Sequence, residues 1–268
     1  MACGLRKKGR KKHLCELFGV NSARPVITND LLQEFFTHCE DHPQGWGIAH
    51  LDHGVSLEKE PKKAIKSEYL AERLNSTIRA RNLLAHIRLA TIGNTEYNNC
   101  HPFVAYDVTG RAWAQNHNGT LFSAPAVEPY FYRQTGTTDS ERMLLYLVDR
   151  VNLATEAAGR ELTAEERAVF MEEQLALLTP HNKVNLLLYD GEQLYVHTNY
   201  KGSLHVCQDG CVAWFSTLPL SHGDWEPLPL CRLLVYKDGK RIYEGKPHGN
   251  EYIDNPEDLK FLENFAML

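Results

Sequence analysis

The chain has 268 residues and a mass of 30.5 kDa, with 43% hydrophobic and 24% charged residues. This is enough apolar material for a large core and too much for a disordered chain. No segment approaches the run of about 18 apolar residues that a membrane helix needs. The net charge of −5 argues against nucleic acid as the main partner. Seven cysteines, an odd number, favour reduced thiols in a cytoplasmic protein over a disulfide scaffold.

The basic charge is concentrated at the N-terminus. Residues 1–14 hold six Lys or Arg and no acidic residue, and the remainder carries a net charge of −11. Such a run is compatible with nuclear localisation or RNA binding, but a solvated tail without a role is the more common case. It lacks the apolar centre of a secretory signal. We therefore expect an N-terminal extension over residues 1–14 and one domain over residues 15–268.

In chain order, apolar runs alternate with helical patterns. Two strands and a helix are predicted first, then three strands and two helices, and finally five strands and a short helix. The strands are expected over 15–20, 46–51, 83–89, 103–108, 112–116, 184–189, 194–197, 203–206, 212–217 and 233–236. The helices are expected over 62–80, 140–151, 163–178 and 256–265.

Turn signals indicate how these strands are paired. Asp-Gly dipeptides at 190–191, 209–210 and 238–239 follow strand-like runs and predict hairpins, because glycine accepts a positive φ without steric cost. Thr163, followed three residues later by Glu166, is a capping-box signature. Much of the sheet should therefore be antiparallel, and the fold class is α+β, with helices packed as outer layers.

Four short segments carry candidate chemistry, and each also has an ordinary structural explanation. Cys15 begins an apolar strand, where most cysteines are inert. Arg88 ends another strand and could form a surface ion pair. Asn118-Gly119 is a common hairpin turn, and Asp139 or Ser140 could cap a helix. Taken singly, none indicates a function.

Taken together, the segments occur in the order typical of one family. They are CELFG from Cys15, GWGIAH from Gly45, HIRLATIG from His86, NHNGTL from Asn116 and TDSE from Thr138, with WFST at 214–217 as a weaker match. The chain resembles the class II glutamine amidotransferase domains of the N-terminal-nucleophile (Ntn) hydrolase superfamily, and in particular the stand-alone YafJ-like group. The resemblance implies a four-layer αββα sandwich with two mainly antiparallel sheets.

The same resemblance implies a catalytic mechanism without a metal or other cofactor. Cys15 would be the nucleophile and its own α-amine the general base, since an α-amine with a pKa of about 8 can share a proton with a thiol of about 8.5. Attack on the glutamine side-chain amide would form a γ-glutamyl thioester, and glutamate and ammonia would be released. Asn118 and Gly119 would form the oxyanion hole.

The family pattern also assigns the substrate contacts. Arg88 would hold the α-carboxylate of glutamine in a bidentate pair, and Asp139 would hold the α-ammonium. Thr91 matches a further carboxylate contact, although the next residue is Ile92 where many members have histidine. Trp46 is expected to line or close the pocket.

This mechanism requires Cys15 to be the first residue, yet fourteen residues precede it. The extension is either a propeptide that is removed or an artefact of the assigned start, with Leu14 at the initiator position. Otherwise the extension is retained and the protein is inactive as an amidotransferase.

Parts of the sequence also suggest other functions. A Cys/His protease could use His86, His101 or His117, but no protease signature surrounds Cys15. Cys207 and Cys211 with His205 lack the second ligand pair of a zinc site. The remaining alternatives are a γ-glutamyl peptide or amide hydrolase with the same nucleophile, and an inactive binding module. No synthase domain is expected, so any ammonia acceptor would be a partner protein.

Overall fold

Two antiparallel sheets form the centre of the fold. The computed structural model describes residues 15–41, 44–89, 94–258 and 260, and every strand pairing among them is antiparallel. One sheet has seven strands, in the order β11 (Trp225–Pro227), β9 (His205–Asp209), β10 (Val212–Ser216), β1 (Glu16–Ile27), β4 (Arg79–Ile87), β2 (Trp46–His50) and β3 (Ser56–Glu60). The other has six, in the order β13 (Lys240–Glu244), β12 (Arg232–Lys237), β8 (Leu194–Thr198), β7 (Asn185–Tyr189), β6 (Ala112–His117) and β5 (Phe103–Tyr106).

Four helices cover the outer faces of these sheets. Helices α1 (Asn29–Thr37) and α2 (Glu68–Asn75) bury apolar residues against the seven-stranded sheet, and α3 (Asp139–Ala158) and α4 (Ala164–Leu178) against the six-stranded sheet. A third apolar cluster, which includes Leu17, Leu187 and Phe215, fills the space between the sheets. Because alternate side chains of a strand point to opposite faces, each sheet serves two layers of core. The predicted α+β class and four-layer αββα architecture are confirmed.

The predicted hairpins and capping box are also present. Asp190-Gly191 joins β7 to β8, Asp209-Gly210 joins β9 to β10, and Asp238-Gly239 joins β12 to β13. Asp238 and Gly239 have φ angles of 51° and 72°, the positive values typical of a type I′ turn. Thr163 and Glu166 form the reciprocal capping box at the start of α4.

The predicted helix over 62–80 is wrong over most of its length. The structure has a short 3-10 helix at Ala64–Lys66, then α2, and β4 already begins at Arg79. Ile65 and Tyr69 are 59% and 48% exposed, so the apolar residues that suggested one long amphipathic helix do not share a buried face. Helix α1 and strands β3, β11 and β13 were not predicted.

Several predictions fall wholly or partly outside the described residues. These are the basic extension over residues 1–14, the contact of Thr91, and most of the predicted helix over 256–265. Within the described part of the chain, no helix combines the length and the apolar character needed to cross a membrane.

Candidate active site

Cys15 lies at the start of β1, the central strand of the seven-stranded sheet. The pairing of Glu16 with Ile87 places Cys15 beside Arg88, which follows β4. The Cys15 Sγ donates to the carbonyl oxygen of Leu89 at 3.2 Å and accepts from the Leu89 amide at 3.4 Å. Leu17, two residues further on, packs between the sheets, so strand alternation directs the Cys15 thiol toward the same layer.

The environment of Cys15 favours the neutral thiol. Burial raises the pKa of Cys15 to about 11, while the backbone hydrogen bond with Leu89 and the positive charges of Arg88 and Lys183 act in the opposite direction. A thiol with this pKa is protonated at neutral pH. A nearby proton acceptor is therefore needed before Cys15 can act as a nucleophile.

Asn118 reaches the same layer from the opposite sheet. Ala114 of β6 packs between the sheets, and the alternation of side chains brings Asn116 and Asn118 to that face. The Asn116 side chain donates to the carbonyl oxygen of Ala85 in β4 at 2.8 Å and so ties the two sheets together near this end. The Asn118 side chain is 1% exposed, and neither its oxygen nor its nitrogen has a hydrogen-bond partner among the described residues.

Glycine is required at position 119 because the backbone of Lys183 lies very close to it. A Cβ atom built on Gly119 would lie 1.8 Å from the carbonyl oxygen of Lys183, which no side chain can tolerate. The amides of Asn118 and Thr120 donate to Asn185 and Lys183 on β7 and the segment before it, both at 2.9 Å. Since successive amides of an extended strand alternate in direction, the Gly119 amide points away from that neighbour. Asn118-Gly119 is therefore not a hairpin turn but an extension of β6.

Arg88 is a buried cation. It is 2% exposed, and its Nη1 donates to the carbonyl oxygen of Asn94 at 3.1 Å. Burial lowers the pKa of Arg88, and the neighbouring Cys15, Cys100 and Asp139 oppose that shift. Arg88 also offers the planar donor geometry that pairs with a carboxylate.

Asp139 is the first residue of α3. Its Oδ2 accepts from the Leu121 amide at 2.8 Å, and its Oδ1 accepts from the Ser140 amide at 2.9 Å. The N-cap is Thr138, whose hydroxyl accepts from the Glu141 amide at 3.2 Å, so the expectation of Asp139 or Ser140 as the cap was wrong by one residue. Asp139 is 5% exposed and lies close enough to Cys15 and Arg88 to affect the pKa of both.

Of the predicted site residues, the structure thus gathers five at one end of the inter-sheet layer: Cys15, Arg88, Asn118, Gly119 and Asp139. Trp46 is not among them. It is fully buried in the core beneath α1 and α2, where it packs against Phe36 and donates to Glu60 at 3.2 Å. Strand alternation fixes this placement, because Trp46 and Ile48 of β2 share the face that meets the helices. Trp46 is therefore not part of the proposed site.

Lys183 is a site residue that no local sequence pattern indicates. This lysine is 5% exposed, its ammonium lies 4.2 Å from the centre of the Tyr200 ring, and its charge favours the thiolate of Cys15. Its backbone pairs with Thr120 in an isolated β-bridge next to the Asn118-Gly119 segment. That pairing, which links residues 63 positions apart and continues the pairing of β6 with β7, brings Lys183 to the site.

The three histidines weighed for a protease are engaged elsewhere. His117 contacts the Ser140 hydroxyl at 2.9 Å and the Lys183 carbonyl at 3.3 Å. His86 and His101 stack on each other with their ring centres 4.1 Å apart. Burial lowers the pKa values of His101 and His117, so both are neutral at pH 7. The two hydrogen bonds of the Cys15 thiol both go to Leu89.

The candidate zinc ligands lie on a separate hairpin. Cys207 is buried in β9, whereas Cys211 is exposed at the turn that leads to β10. Across the described residues, no three His, Cys, Asp or Glu side chains are grouped so that they could hold a metal ion.

Comparisons with known proteins show which family the chain belongs to. The family model of class II glutamine amidotransferases matches residues 14–209. The uncharacterised protein MJ1515 of Methanocaldococcus jannaschii is 32% identical over 87% of this chain and 72% of its own length. The crystal structure of a predicted glutamine amidotransferase from Pseudomonas aeruginosa aligns over 85% of this chain and 100% of its own, with a TM-score of 0.60 and 21% identity.

A larger enzyme contains the same fold. The glutamine phosphoribosylpyrophosphate amidotransferase of B. subtilis aligns over 88% of this chain and 49% of its own, with a TM-score of 0.65 and 16% identity. The fold is that of an Ntn-type amidotransferase domain. The chain belongs to the class II glutamine amidotransferase family, in which it resembles the stand-alone members.

Proposed function

We propose that this protein hydrolyses the γ-amide bond of glutamine or of a γ-glutamyl compound, with Cys15 as the nucleophile. The observation that carries the proposal is the arrangement around this thiol. A buried guanidinium, from Arg88, lies beside it. The Asn118 side chain, an amide that has no hydrogen-bond partner in the described part of the chain, faces the same layer. Buried polar atoms without partners are costly, and a ligand that pairs with them offsets that cost.

The substrate would be bound at both ends of its charged head. Arg88 pairs with the α-carboxylate, and Asp139 pairs with the α-ammonium, because the buried head needs a partner for each charge. Thr91 is retained as a further carboxylate contact on the strength of the family pattern alone. The γ-carbonyl oxygen then lies toward the Asn118 side chain and the Gly119 amide.

The reaction proceeds through a thioester. The Cys15 sulfur attacks the γ-carbonyl carbon while the free α-amine of Cys15 takes the thiol proton. The Asn118 side chain and the Gly119 amide stabilise the oxyanion. The carbon–nitrogen bond breaks as the leaving nitrogen takes the proton from the α-amine. Water, deprotonated by the same amine, then cleaves the thioester and releases glutamate.

This scheme requires a free amine at Cys15. In the full chain the nitrogen of Cys15 is in a peptide bond with Leu14 and cannot accept a proton. The active form therefore begins at Cys15, after removal of residues 1–14 or because synthesis starts at residue 14 and the initiator methionine is trimmed.

The experiment combines intact mass with activity. Glutamate release from glutamine is measured on protein that begins at Cys15 and on protein that retains residues 1–14. We expect turnover only from the first, and only when residue 15 is cysteine. Brisk turnover by the uncut chain, or by Cys15→Ala protein, would overturn the proposal. Whether the ammonia is released or passed to a partner protein is read from ammonia production by the protein alone.

A further inference from the structure

Lys183 is a buried lysine that the reaction scheme above does not use. Its side chain is 5% exposed, and its ammonium lies over the ring of Tyr200, 4.2 Å from the ring centre. A lysine is rarely buried to this extent, because desolvation penalises its charged form. The position of this charge within the fold therefore bears on the chemistry of the site.

The Lys183 side chain faces the layer between the two sheets. In the segment that leads into β7, Val184 and Leu186 pack on the side of the helices, whereas Leu187 and Tyr189 pack between the sheets. The isolated β-bridge before β7 continues this alternation back to Lys183. The lysine therefore enters the same layer as the Cys15 thiol.

Lys183 and Cys15 lie at the same level on opposite sides of this layer. A Cβ atom built on Gly19 of β1 would lie 2.9 Å from the Leu187 side chain of β7, so the two strands meet there. Cys15 precedes Gly19 by four residues, and Lys183 precedes Leu187 by four, about 13 Å along each strand.

The equal spacing is informative because β1 and β7 run in the same direction. Asn21, further along β1, accepts from the Gly239 amide at 2.8 Å. Gly239 lies in the hairpin after β12, at the end of the six-stranded sheet where β7 also ends. The starts of both strands therefore lie together at the opposite end of the layer, with Cys15 on one side and Lys183 on the other.

Lys183 is also a neighbour of the proposed oxyanion hole. The Asn118 amide donates to Asn185, and the next pair on the same face is Thr120 with Lys183. Diagonal neighbours on one face of an antiparallel pair are about 7–8 Å apart, within reach of a long side chain. One positive charge thus lies close both to the sulfur and to the site proposed for the oxyanion.

The charged groups that act on Cys15 come from three other elements. Arg88 follows β4, Lys183 precedes β7 and Asp139 begins α3; the two cations favour the thiolate, and the carboxylate opposes it. His117 of β6 is also within range of the Lys183 charge, and its pKa is lowered, so it is neutral.

Substrate binding changes the balance among these charges. In the proposed complex, the α-carboxylate of glutamine pairs with Arg88 and the α-ammonium with Asp139, so both protein charges are largely compensated. Lys183 takes no part in binding that head. Its field therefore continues to act on the negative charge that forms first on sulfur and then on the γ-carbonyl oxygen.

We propose that Lys183 is a positioning residue of the reaction, whose buried ammonium stabilises the Cys15 thiolate and the oxyanion and keeps the free amine of Cys15 unprotonated. The inference rests on the proposed function and adds the residue that sets its working pH. A nearby cation favours a thiolate and disfavours an ammonium. The thiol proton still passes to the Cys15 amine and then to the leaving nitrogen, and Lys183 keeps its own proton throughout.

The first measurement needs no turnover and uses the full chain. Alkylation of Cys15 by iodoacetamide is followed at pH 8 by peptide mass spectrometry, in a Cys211→Ser background. At this pH the rate follows the thiolate fraction. We expect Lys183→Met to slow alkylation about tenfold, which corresponds to a rise of one unit in the pKa of the thiol. Lys183→Arg keeps the charge and should restore most of the rate.

The second measurement is the pH profile of kcat/KM for glutamine, on protein that begins at Cys15. Its acid limb reports the ionisation of the base in the free enzyme. Loss of the cation raises the pKa of the amine, so in Lys183→Met the limb should move to higher pH by about half a unit to one unit. A purely structural role would lower kcat/KM by the same factor at every pH.

Lys59→Met is the matched control. The Lys59 ammonium also lies over an aromatic ring, 4.8 Å from the centre of Tyr97, and donates to the Cys100 carbonyl at 2.9 Å. Its charge acts on Cys100 and Glu141. Neither the alkylation of Cys15 at pH 8 nor the position of the acid limb should change in this variant.

The outcomes separate the role of Lys183 from the proposed function. An alkylation rate and an acid limb in Lys183→Met equal to those of Lys59→Met would overturn the role and leave amide hydrolysis by Cys15 intact. Absence of any Cys15-dependent turnover removes the proposed function and the role together, whatever the alkylation rates. If Lys183→Met does not fold, Lys183→Gln removes the same charge and is taken through both measurements.

Discussion

Two buried polar regions of this fold are organised in opposite ways. At the hairpin between β7 and β8, the Arg167 guanidinium donates to Asp190 at 2.7 Å, to the Leu162 carbonyl at 2.7 Å and to Glu192 at 2.5 Å. Both Asp190 oxygens accept further hydrogen bonds, from the Tyr195 hydroxyl and from the amides of residues 192 and 193. We call Arg167, Asp190, Glu192 and Tyr195 the Arg167 cluster.

The end of the inter-sheet layer that holds Cys15 and Asn118, which we call the reacting end, has fewer internal hydrogen bonds than the Arg167 cluster. Within residues 15–41, 44–89, 94–258 and 260, neither polar atom of the Asn118 side chain has a hydrogen-bond partner, and the Cys15 thiol bonds to the backbone of Leu89. Burial costs both regions desolvation energy, but only the Arg167 cluster recovers that energy from the protein itself. The difference indicates that the Arg167 cluster serves stability. Under the proposed function, a bound substrate supplies the missing partners at the reacting end.

The largest effect expected is the loss of the nucleophile. Cys15→Ala should lower amide hydrolysis by on the order of 10⁶-fold, as removal of a catalytic nucleophile does elsewhere. Because the two hydrogen bonds that the structure describes for the thiol are both with Leu89, the midpoint of urea unfolding should change little. Cys211→Ala, at an exposed turn, is the control and should retain full activity. Residual activity in Cys15→Ala close to that of this control would contradict the assignment.

The Arg167 cluster should respond in the opposite way. Asp190→Ala leaves a buried guanidinium without its main partner, so the free energy of unfolding should fall by about 3–5 kcal/mol. Activity per folded molecule should stay the same. Arg160→Ala, which breaks an exposed pair with Glu166, should lower the free energy of unfolding far less. A free energy of unfolding for Asp190→Ala as high as that of Arg160→Ala would contradict the stabilising role of the Arg167 cluster.

Removing the Asn118 amide should affect activity and not stability. Asn118→Ala deletes a donor to the oxyanion, so kcat should fall by about 10²–10³-fold. The same change removes two buried polar atoms that lack partners, so stability should be unchanged or slightly higher. Kinetics and urea unfolding on one preparation test both parts. A marked loss of stability would mean that Asn118 has a structural partner in solution.

The smallest expected effect is a shift in the pH dependence of alkylation. Because burial raises the pKa of Cys15 to about 11, its thiolate population, and with it the rate of reaction with iodoacetamide, should keep rising up to that pH. An ordinary thiol levels off near pH 10, more than one unit above its pKa of about 8.5. The rate is followed by peptide mass spectrometry in Cys211→Ser protein. A plateau near pH 10 would show that the thiol is not desolvated.

Local sequence signals predicted the hairpins and helices α3 and α4 well. The Asp-Gly turns and the capping box depend on residues a few positions apart, so neighbouring residues suffice to specify them. Helix α1 was missed although Leu31, Leu32, Phe35 and Phe36 have helical spacing, and three of these four are buried. That signal was available, whereas the short edge strands β3 and β11 carry little apolar pattern of their own.

The site was less predictable than the fold because its contacts are long-range. Family motifs supplied Cys15, Arg88, Asn118, Gly119 and Asp139, but not the pairing that brings Lys183 beside them. The misplacement of Trp46 has the same origin. A motif places a residue near a site along the chain, and only the strand pairing decides toward which face its side chain points.

The tight fit of Gly119 against the Lys183 carbonyl has a consequence for heat inactivation. The backbone donor proposed for the oxyanion cannot move away from Lys183 unless the bridge between Thr120 and Lys183 also breaks. That bridge continues the pairing of β6 with β7, two inner strands of the six-stranded sheet. On heating, activity should therefore be lost in the same transition as the sheet structure. No folded but inactive form should precede that transition.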